Sequence, residues 1–414
     1  MRAFLLPPLL ALLAVASAPA AHAQWATLAP LGTPRSGAAV AVYNGQIYVM
    51  GGRNASGQVL GSVERYNPTT NTWSSGPSLR DDRTNAAATV IGGYLVLTGG
   101  RDDDGEVTDD CEMYDPSDNR WESYSNLRNE REGHAAFSVG GVGYAFGGSS
   151  PGGTYRTDAE VYEPSDGNWR DYNTWSLAIP RASFGSAPVG AGVLVVGGYS
   201  TFGPLSDVEF YVPGQGGTMR ASLPSPRGGL GAANVMTGAG ARVYAVGGRN
   251  ASGTTLMTVD VFNPDANNWT PGPALPAARN MASVVSIGNR LYVIGGLDAA
   301  GYPVNTVYGL DVLTAGEAGP AAAAALALAP PEPNPTTGPV RVALTSAGGT
   351  ARVEVYDALG RRVAVLHDGT LAAGVHTLDW DGRADGGAPV PAGVYLVRVE
   401  QEGHAAVRRL TVAR

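Results

Sequence analysis

Arginine recurs along this chain where its chemistry is easy to state. Arg35, Arg83, Arg131, Arg181 and Arg279 each stand sixteen residues before a Gly-Gly pair, and Arg227 stands twenty before its own. A guanidinium is a planar fork of five donors that stays charged, and it pairs bidentately with carboxylates or sulfates. Brought to one place, the six arginines make a cationic ring suited to carboxylates or sulfates. The competing use is internal, with the arginines paired to carboxylates such as Glu64 and Glu160 or to backbone carbonyls.

Other candidates for chemistry are sparser. The acidic stretch RDDDGEVTDD (101–110) has Gly100 and Cys111 where a calcium loop of EF-hand type needs an acid and a glutamate, so it reads as a solvated loop. Cys111 is the one cysteine, which rules out an intrachain disulfide, and it aligns with Val63 and Val161 at a position expected to be buried. Glu130, Glu132 and His134 lie close to Arg131 and are the one cluster suited to proton transfer. His134 is the single histidine between residues 24 and 316, so a pair of imidazole ligands for a transition metal is not available there. No metal and no cofactor is expected.

The elements that must position these side chains repeat. Gly-Gly pairs close apolar runs at Gly51, Gly99, Gly147, Gly197, Gly247 and Gly295, at spacings of 48, 48, 50, 50 and 48. A Tyr or Phe lies about fifteen residues after the pair, at Tyr66, Tyr114, Tyr162, Tyr211 and Phe262. Tryptophan follows at Trp73, Trp121, Trp169 and Trp269, and Met219 stands at that spacing in the fourth copy, which predicts an irregular unit. In the first copy, residues 37–43 and 46–50 alternate around Asn44-Gly45, the strongest short hairpin signal. Residues 62–66 and 71–75 supply two more strands, with Asn67-Pro68 between them. Four strands in about 45–50 residues are one blade of a β-propeller.

The Gly-Gly, Tyr and Trp at these spacings resemble kelch repeats over roughly residues 25–316. The fold expected is all-β: a six-bladed kelch-type β-propeller over 24–316, then a small Ig-like β-sandwich. The sixth copy lacks its tryptophan, whereas Trp25 stands 48 residues before Trp73 with no repeat ahead of it. Residues 24–28 are therefore expected to supply the last strand of blade six, closing the ring end to end. In a propeller the arginines would circle the channel on one face. The kelch resemblance implies that residues at and just after this position contact partners, which adds Ser36, Asn85, His134, Ser183 and Asn280 to the arginines.

The termini add two expectations. Arg2, an apolar run from Phe4 to about Ala16 and Ala21-His22-Ala23 read as a signal peptide over 1–23. Residues 317–332 read as an Ala/Pro linker and 333–414 as the sandwich, with strands at 339–344, 351–357, 362–367, 374–380, 393–400 and 405–412 and turns at Leu359-Gly360 and Asp381–Gly387. Pro333-Asn334-Pro335, VEVYDALGRRV (353–363), the stretch from Gly374 to Gly382, Pro391-Ala392-Gly393-Val394-Tyr395 and the basic final strand are similar to the C-terminal sorting domains of type IX secretion cargo. That resemblance implies delivery through the periplasm and outer membrane, to the cell surface or beyond it, with the type IX machinery as a partner.

The chain has 414 residues, 44% of them hydrophobic, with 58 glycines, and no lysine occurs. A net charge of −8 argues against nucleic-acid and anionic-membrane partners. No run is long and apolar enough to suggest a transmembrane segment. The function expected is a monomeric binding or scaffold propeller for a protein or glycan ligand, acidic in character. The alternative is a carbohydrate-active propeller, like the kelch mutarotases that act on sialic acids, with proton transfer by the Glu130, Glu132 and His134 cluster.

Overall fold

The computed structural model describes residues 24–238, 240–312, 327–329, 331–357, 361–401 and 404–413. The signal-peptide expectation falls on residues outside these. The chain divides into two compact units, Ala21–Glu317 and a unit containing Ala318–Arg414. Among the described residues, regular structure is all-β apart from 3-10 geometry at Pro151–Gly153 and Val312.

The larger unit is a six-bladed propeller of four-stranded antiparallel sheets. Blade 1 runs Ala39–Tyr43, Gln46–Met50, Val63–Asn67 and Thr72–Ser75, in spatial and sequence order alike. Blades 2 to 5 repeat this meander, with innermost strands at Ala87–Ile91, Ala135–Val139, Gly185–Val189 and Gly231–Thr237. Blade 6 takes three strands from Ser283–Ile287, Arg290–Ile294 and Val307–Asp311, and its outermost from Ala26–Leu28, in the register Ala26 to Gly309 and Leu28 to Val307. Trp25 Nε1 donates to the Pro273 carbonyl at 2.9 Å. Trp73, Trp121 and Trp269 donate in the same way to Ala29, Pro77 and Ala221 of the preceding blade's exit. Trp25 therefore does in blade 6 what its counterparts do in blades 1, 2 and 5.

The glycine pairs end strand two because the chain there must turn left-handed against a neighbour. Gly51 has φ 65°, and a Cβ on it would lie 2.1 Å from the Arg83 carbonyl oxygen of the next blade. The aromatic pairs form the outer core. Tyr66 packs at a tilt on Trp73 with centroids 5.0 Å apart, Tyr114 on Trp121 at 5.6 Å and Phe262 on Trp269 at 5.0 Å.

Blade 4 departs from expectation. Its four strands are regular, and an added hairpin, Tyr199–Ser200 with Gly203–Pro204, extends the loop after strand two. By register the residue facing Tyr211 is Gly217, so glycine and not Met219 holds the tryptophan's place. The missing ring comes from blade 3. Its last strand runs on to Ser176, and Trp175 packs on Tyr211 with centroids 5.1 Å apart.

The smaller unit buries Val353, Trp380, Tyr395, Val397 and Leu410 in one core. Four of the expected strands fuse into two. Val340–Asp357 and Arg362–Trp380 pair along their lengths, because the small residues of Ser346-Ala-Gly-Gly-Thr350 carry the strand on with no proline to stop it. The expected turn at Leu359-Gly360 lies outside the described residues. The linker is shorter than 317–332, since Ala327–Leu328 pairs with Leu344–Thr345 and Leu328 is buried. Asn334 mimics a strand on the sheet edge: its side chain accepts from Thr411 N at 2.9 Å and donates to the Arg409 carbonyl at 3.0 Å.

Candidate functional site at the channel mouth

The six repeat arginines do not form the cationic ring expected. Arg35, Arg83, Arg131, Arg181, Arg227 and Arg279 are 0–4% exposed and turn into the blade. In blades 1 to 4 the Nη1 atom donates to the carbonyl of the first glycine of the pair, for example Arg35 to Gly51 at 2.9 Å and Arg131 to Gly147 at 3.0 Å. The outer nitrogen meets a buried acid on strand three. Arg35 pairs with Glu64 at 2.7 Å, Arg83 with Glu112 at 3.5 Å, Arg131 with Glu160 at 2.7 Å, Arg181 with Glu209 at 2.5 Å and Arg227 with Asp260 at 2.7 Å. Tyr308 fills this place in blade 6, and its ring lies 5.2 Å from the Arg279 guanidinium carbon. A charge taken out of water needs compensation, supplied by an acid in five blades and by the ring and hydroxyl of Tyr308 in the sixth. Burial pushes the Glu112 carboxyl above its usual range, even with Arg83 and the backbone N–H groups of Arg80 and Asp81 beside it. The carboxylates also hold the linkers between blades: Glu64 accepts from Gly32 N and Thr33 N, and Glu160 from Arg128 N and Asn129 N. The signal was present in sequence, as an acid stands 29 residues after Arg35, Arg83 and Arg131.

What circles the channel instead is the residue two past each arginine: Gly37, Asn85, Gly133, Ser183, Gly229 and Met281. All six are left-handed, with φ between 51° and 64°. Each N–H donates to the preceding member's carbonyl at 2.7–3.1 Å, and Gly37 N closes the circuit on Met281 O. Glycine occupies every second place. The reason is steric, since a Cβ on Gly37 would lie 2.6 Å from Asn85 Oδ1 and one on Gly229 would lie 2.1 Å from Asn280 Oδ1. Below this rim a cavity of about 540 Å³ is lined by small and branched residues such as Val42, Val90, Ser138, Pro188, Asn234 and Ser286.

The expected polar residues divide. Asn85 and Ser183 stand on the rim, and Ser36 and Asn280 lie one residue outside it, where their backbones bridge to Arg53 and Leu297. His134 is buried; Nε2 lies 2.9 Å from Thr98 Oγ1, and Nδ1 has no partner among the described residues. Burial, aided by the Arg131 charge, holds His134 well below the imidazole range, so it is neutral. Glu132 is held by Arg101 and accepts from Asn85 Nδ2 at 3.0 Å. Glu132 and His134 of the proton-transfer cluster are therefore internally committed, and Glu130 is exposed. Cys111 is buried and its thiol pushed up to about 12, as its packing position implied.

Two features of this face escaped the sequence reading. A polar hollow of about 150 Å³ lies beside the rim, walled by Asn85, Glu132, Tyr155, Ser183 and Tyr199. The blade 4 hairpin lifts Phe202 to 96% exposure, braced by Ser200 Oγ, which accepts from Phe202 N and donates to the Gly203 carbonyl. Tyr302 projects from the matching loop of blade 6 at 65% exposure. Aromatic character in a variable loop carries no periodicity to mark it.

Comparison with known proteins agrees with this fold. Residues 18–209 match the KLHDC2/KLHL20/DRC7 Kelch-repeats domain, residues 238–276 and 278–314 match the Kelch motif, and residues 334–404 match the FlgD Ig-like domain. The chain is 38% identical over 60 residues to Kelch-like protein 33 of Homo sapiens, covering 14% of this chain and 11% of that protein. It is 33% identical over 112 residues to Kelch-like ECH-associated protein 1A of Danio rerio, covering 26% of this chain and 18% of that protein. It thus spans less than a fifth of the length of these relatives. The solved structure of YjhT aligns with a TM-score of 0.59 at 16% identity, over 68% of this chain and 95% of that one, a likeness of fold. Kelch repeats followed by an Ig-like domain are therefore present.

Proposed function

We propose that the propeller is a binding module that captures a protein partner on its channel-mouth face. The observation that carries this reading is the hairpin at Phe202, which holds a large ring almost wholly in water beside a polar rim. Aromatic anchors inside polar rims dominate binding energies where a partner covers them. Kelch repeats in the relatives above are consistent with such a role. His134 is buried against Thr98 and Glu132 is held by Arg101 and Asn85, which weighs against the carbohydrate-active alternative.

The test places a photo-crosslinking residue at Phe202, at Tyr302 or at Met236, which is exposed in the first strand of blade 5. Expression in the native host should give a discrete crosslinked species from Phe202 and Tyr302 and none from Met236. Equal crosslinking from all three would remove the mouth face as the binding surface.

The reading includes export, with the Ig-like domain as a type IX sorting signal and the propeller working at the cell surface or outside the cell. Support comes from the sorting-domain resemblance and from the Asn334 clamp, which ties the Pro333-Asn334-Pro335 motif to the final strand. A reporter fused to residues 327–414 should leave the periplasm, and Asn334→Ala should reduce its export. A fusion that stays periplasmic would count against this part.

A further inference from the structure

Of the left-handed residues that circle the channel mouth, one is the wrong type for its backbone. Glycine adopts a positive φ without a steric penalty, and asparagine tolerates it through its short polar side chain. A long side chain in that region is an outlier, and such strain persists where it serves a site. Among the described residues every positive-φ residue is glycine or asparagine except Ser183 and Met281, and Met281 has φ 54°. The backbone circuit imposes that conformation. Met281 N donates to Gly229 O at 2.8 Å, and Met281 O accepts from Gly37 N at 3.1 Å. An asparagine, as at Asn85, would serve the circuit better. The circuit therefore accounts for the φ and leaves the thioether unexplained.

The thioether has a place in a small hollow at the mouth. The three rim side chains each lie over the glycine that precedes them in the circuit. Asn85 Oδ1, Ser183 Oγ and Met281 Sδ stand 2.6, 3.0 and 3.3 Å from where a Cβ on Gly37, Gly133 and Gly229 would be. All three residues are half-buried. They help to line a hollow of about 120 Å³ to which every blade contributes, so it lies on the channel axis. Its remaining side chains are Ala38, Ala86, His134, Phe184, Leu230 and Ala282. His134 is neutral, so the lining carries no charge. A cavity of about 150 Å³ holds benzene, which leaves this one room for a branched aliphatic group but not for an aromatic ring. A carboxylate entering it would lose its water and meet no countercharge.

We infer that this hollow is the pocket for one branched aliphatic side chain of the partner, a valine, leucine or isoleucine, and that Met281 is the residue that selects it. The inference rests on the reading of the mouth face as protein-binding and deepens it: Phe202 and Tyr302 meet the partner from their loops, and the axial pocket takes its anchor. An unbranched thioether moulds itself to apolar surface as asparagine and glycine cannot.

Two measurements test it. The first sets stability against capture. Met281→Asn relieves the left-handed strain, so it should melt about 1–3 °C above the native chain. With the photo-crosslinking residue at Phe202 in the native host, the same variant should hold the partner at least about tenfold more weakly and lose the crosslinked species. Met281→Leu keeps both the strain and the apolar surface, so its melting and its crosslinking should stay near native. The second measurement needs no known partner. The whole chain is labelled with ¹³C at its methionine methyls, and Met281 is assigned from the peak that Met281→Leu removes. N-acetyl-valinamide and N-acetyl-leucinamide should shift that methyl saturably and leave the exposed Met257 unmoved. The phenylalanine and glutamate counterparts should act at least about tenfold more weakly. Should Met281→Asn fail to fold, the titration of the native chain decides alone. An asparagine variant no more stable than the native chain would overturn the strain argument for Met281. A Met281 methyl that ignores the aliphatic amides, or follows the glutamate amide as closely, would overturn the pocket, and one that follows the phenylalanine amide as closely would overturn its size class. Crosslinking at Phe202 that persists unchanged in Met281→Asn would leave the mouth face standing and remove the axial anchor alone. A methyl response with no crosslinking at Phe202 would keep the pocket and remove the protein-binding reading on which its partner rests.

Discussion

Replacing Arg131 by alanine should destabilise the propeller by about 4 kcal/mol, because breaking a buried ion pair from one side costs roughly 3–5 kcal/mol. The geometry sets that size. Arg131 Nη1 donates to Gly147 O at 3.0 Å and Asp158 O at 3.3 Å, and Nη2 reaches Asp158 Oδ2 at 2.8 Å and Glu160 Oε1 at 2.7 Å. Arg131 and Glu160 side chains are both 0% exposed. Alanine would leave Glu160 with two backbone N–H donors, the Asn129 amide and no countercharge. Blade 6 provides the internal control. Arg279 faces Tyr308 in place of an acid, with Nη2 3.3 Å from its hydroxyl, so Arg279→Ala should cost only about 1–2 kcal/mol. The double variant Arg131→Met with Glu160→Gln should recover much of the loss, since no buried charge is then stranded. Urea unfolding followed by tryptophan fluorescence measures all three. A cost below about 1 kcal/mol for Arg131→Ala, or an equal cost for Arg279→Ala, would refute the argument that these arginines are interior struts.

Three further outcomes follow from the same geometry. His134 is neutral in the folded chain, with its pKa well below 6.5, so the unfolded chain alone gains this proton as pH falls and stability is lost below about pH 6.5. His134→Phe, which copies Phe184 of blade 4, should remove that loss from the difference between unfolding curves at pH 7.5 and pH 5. Deleting residues 24–28 removes the Ala26–Leu28 ladder, the Trp25 bond to Pro273 and the buried Leu28, and should lower Tm by roughly 6–12 °C for about 3 kcal/mol; an unchanged melt would contradict closure at this seam. Trp175→Ala should cost about 3–5 kcal/mol, as for a fully buried ring, and disturb blades 3 and 4 together in hydrogen exchange.

The period was legible because each repeat solves the same local problem. Gly51 and its counterparts must turn left-handed beside a neighbour's backbone, so glycine returns at fixed spacing and marks every blade. Trp25 could be placed because closing the ring needs a strand with that register. Trp175 could not be placed, because it compensates for Gly217 in space and lies in another blade's strand, out of step with the repeat. The arginines left two uses open in sequence, a cationic ring for an acidic ligand or internal pairing with carboxylates such as Glu64 and Glu160, and the packing of strand three beside the glycine turn decides for the second. The rim was half legible: Asn85 and Ser183 were named, but the alternating glycines that admit them emerge only from the left-handed backbone.

The most direct measurement of the central claim is arginine footprinting. Its premise is that the repeat arginines are locked inside the blades while Arg53 and Arg249 stand in solvent. The native chain is treated briefly with phenylglyoxal at pH 8, and modification at each arginine is read by peptide mass spectrometry. Arg53 and Arg249 should react at least about tenfold faster than Arg35, Arg83, Arg131, Arg181, Arg227 and Arg279, in keeping with the burial of those six. Arg101, held by Glu132, should be protected relative to Arg53. Repeat arginines that react as fast as Arg53 and Arg249 would contradict the account.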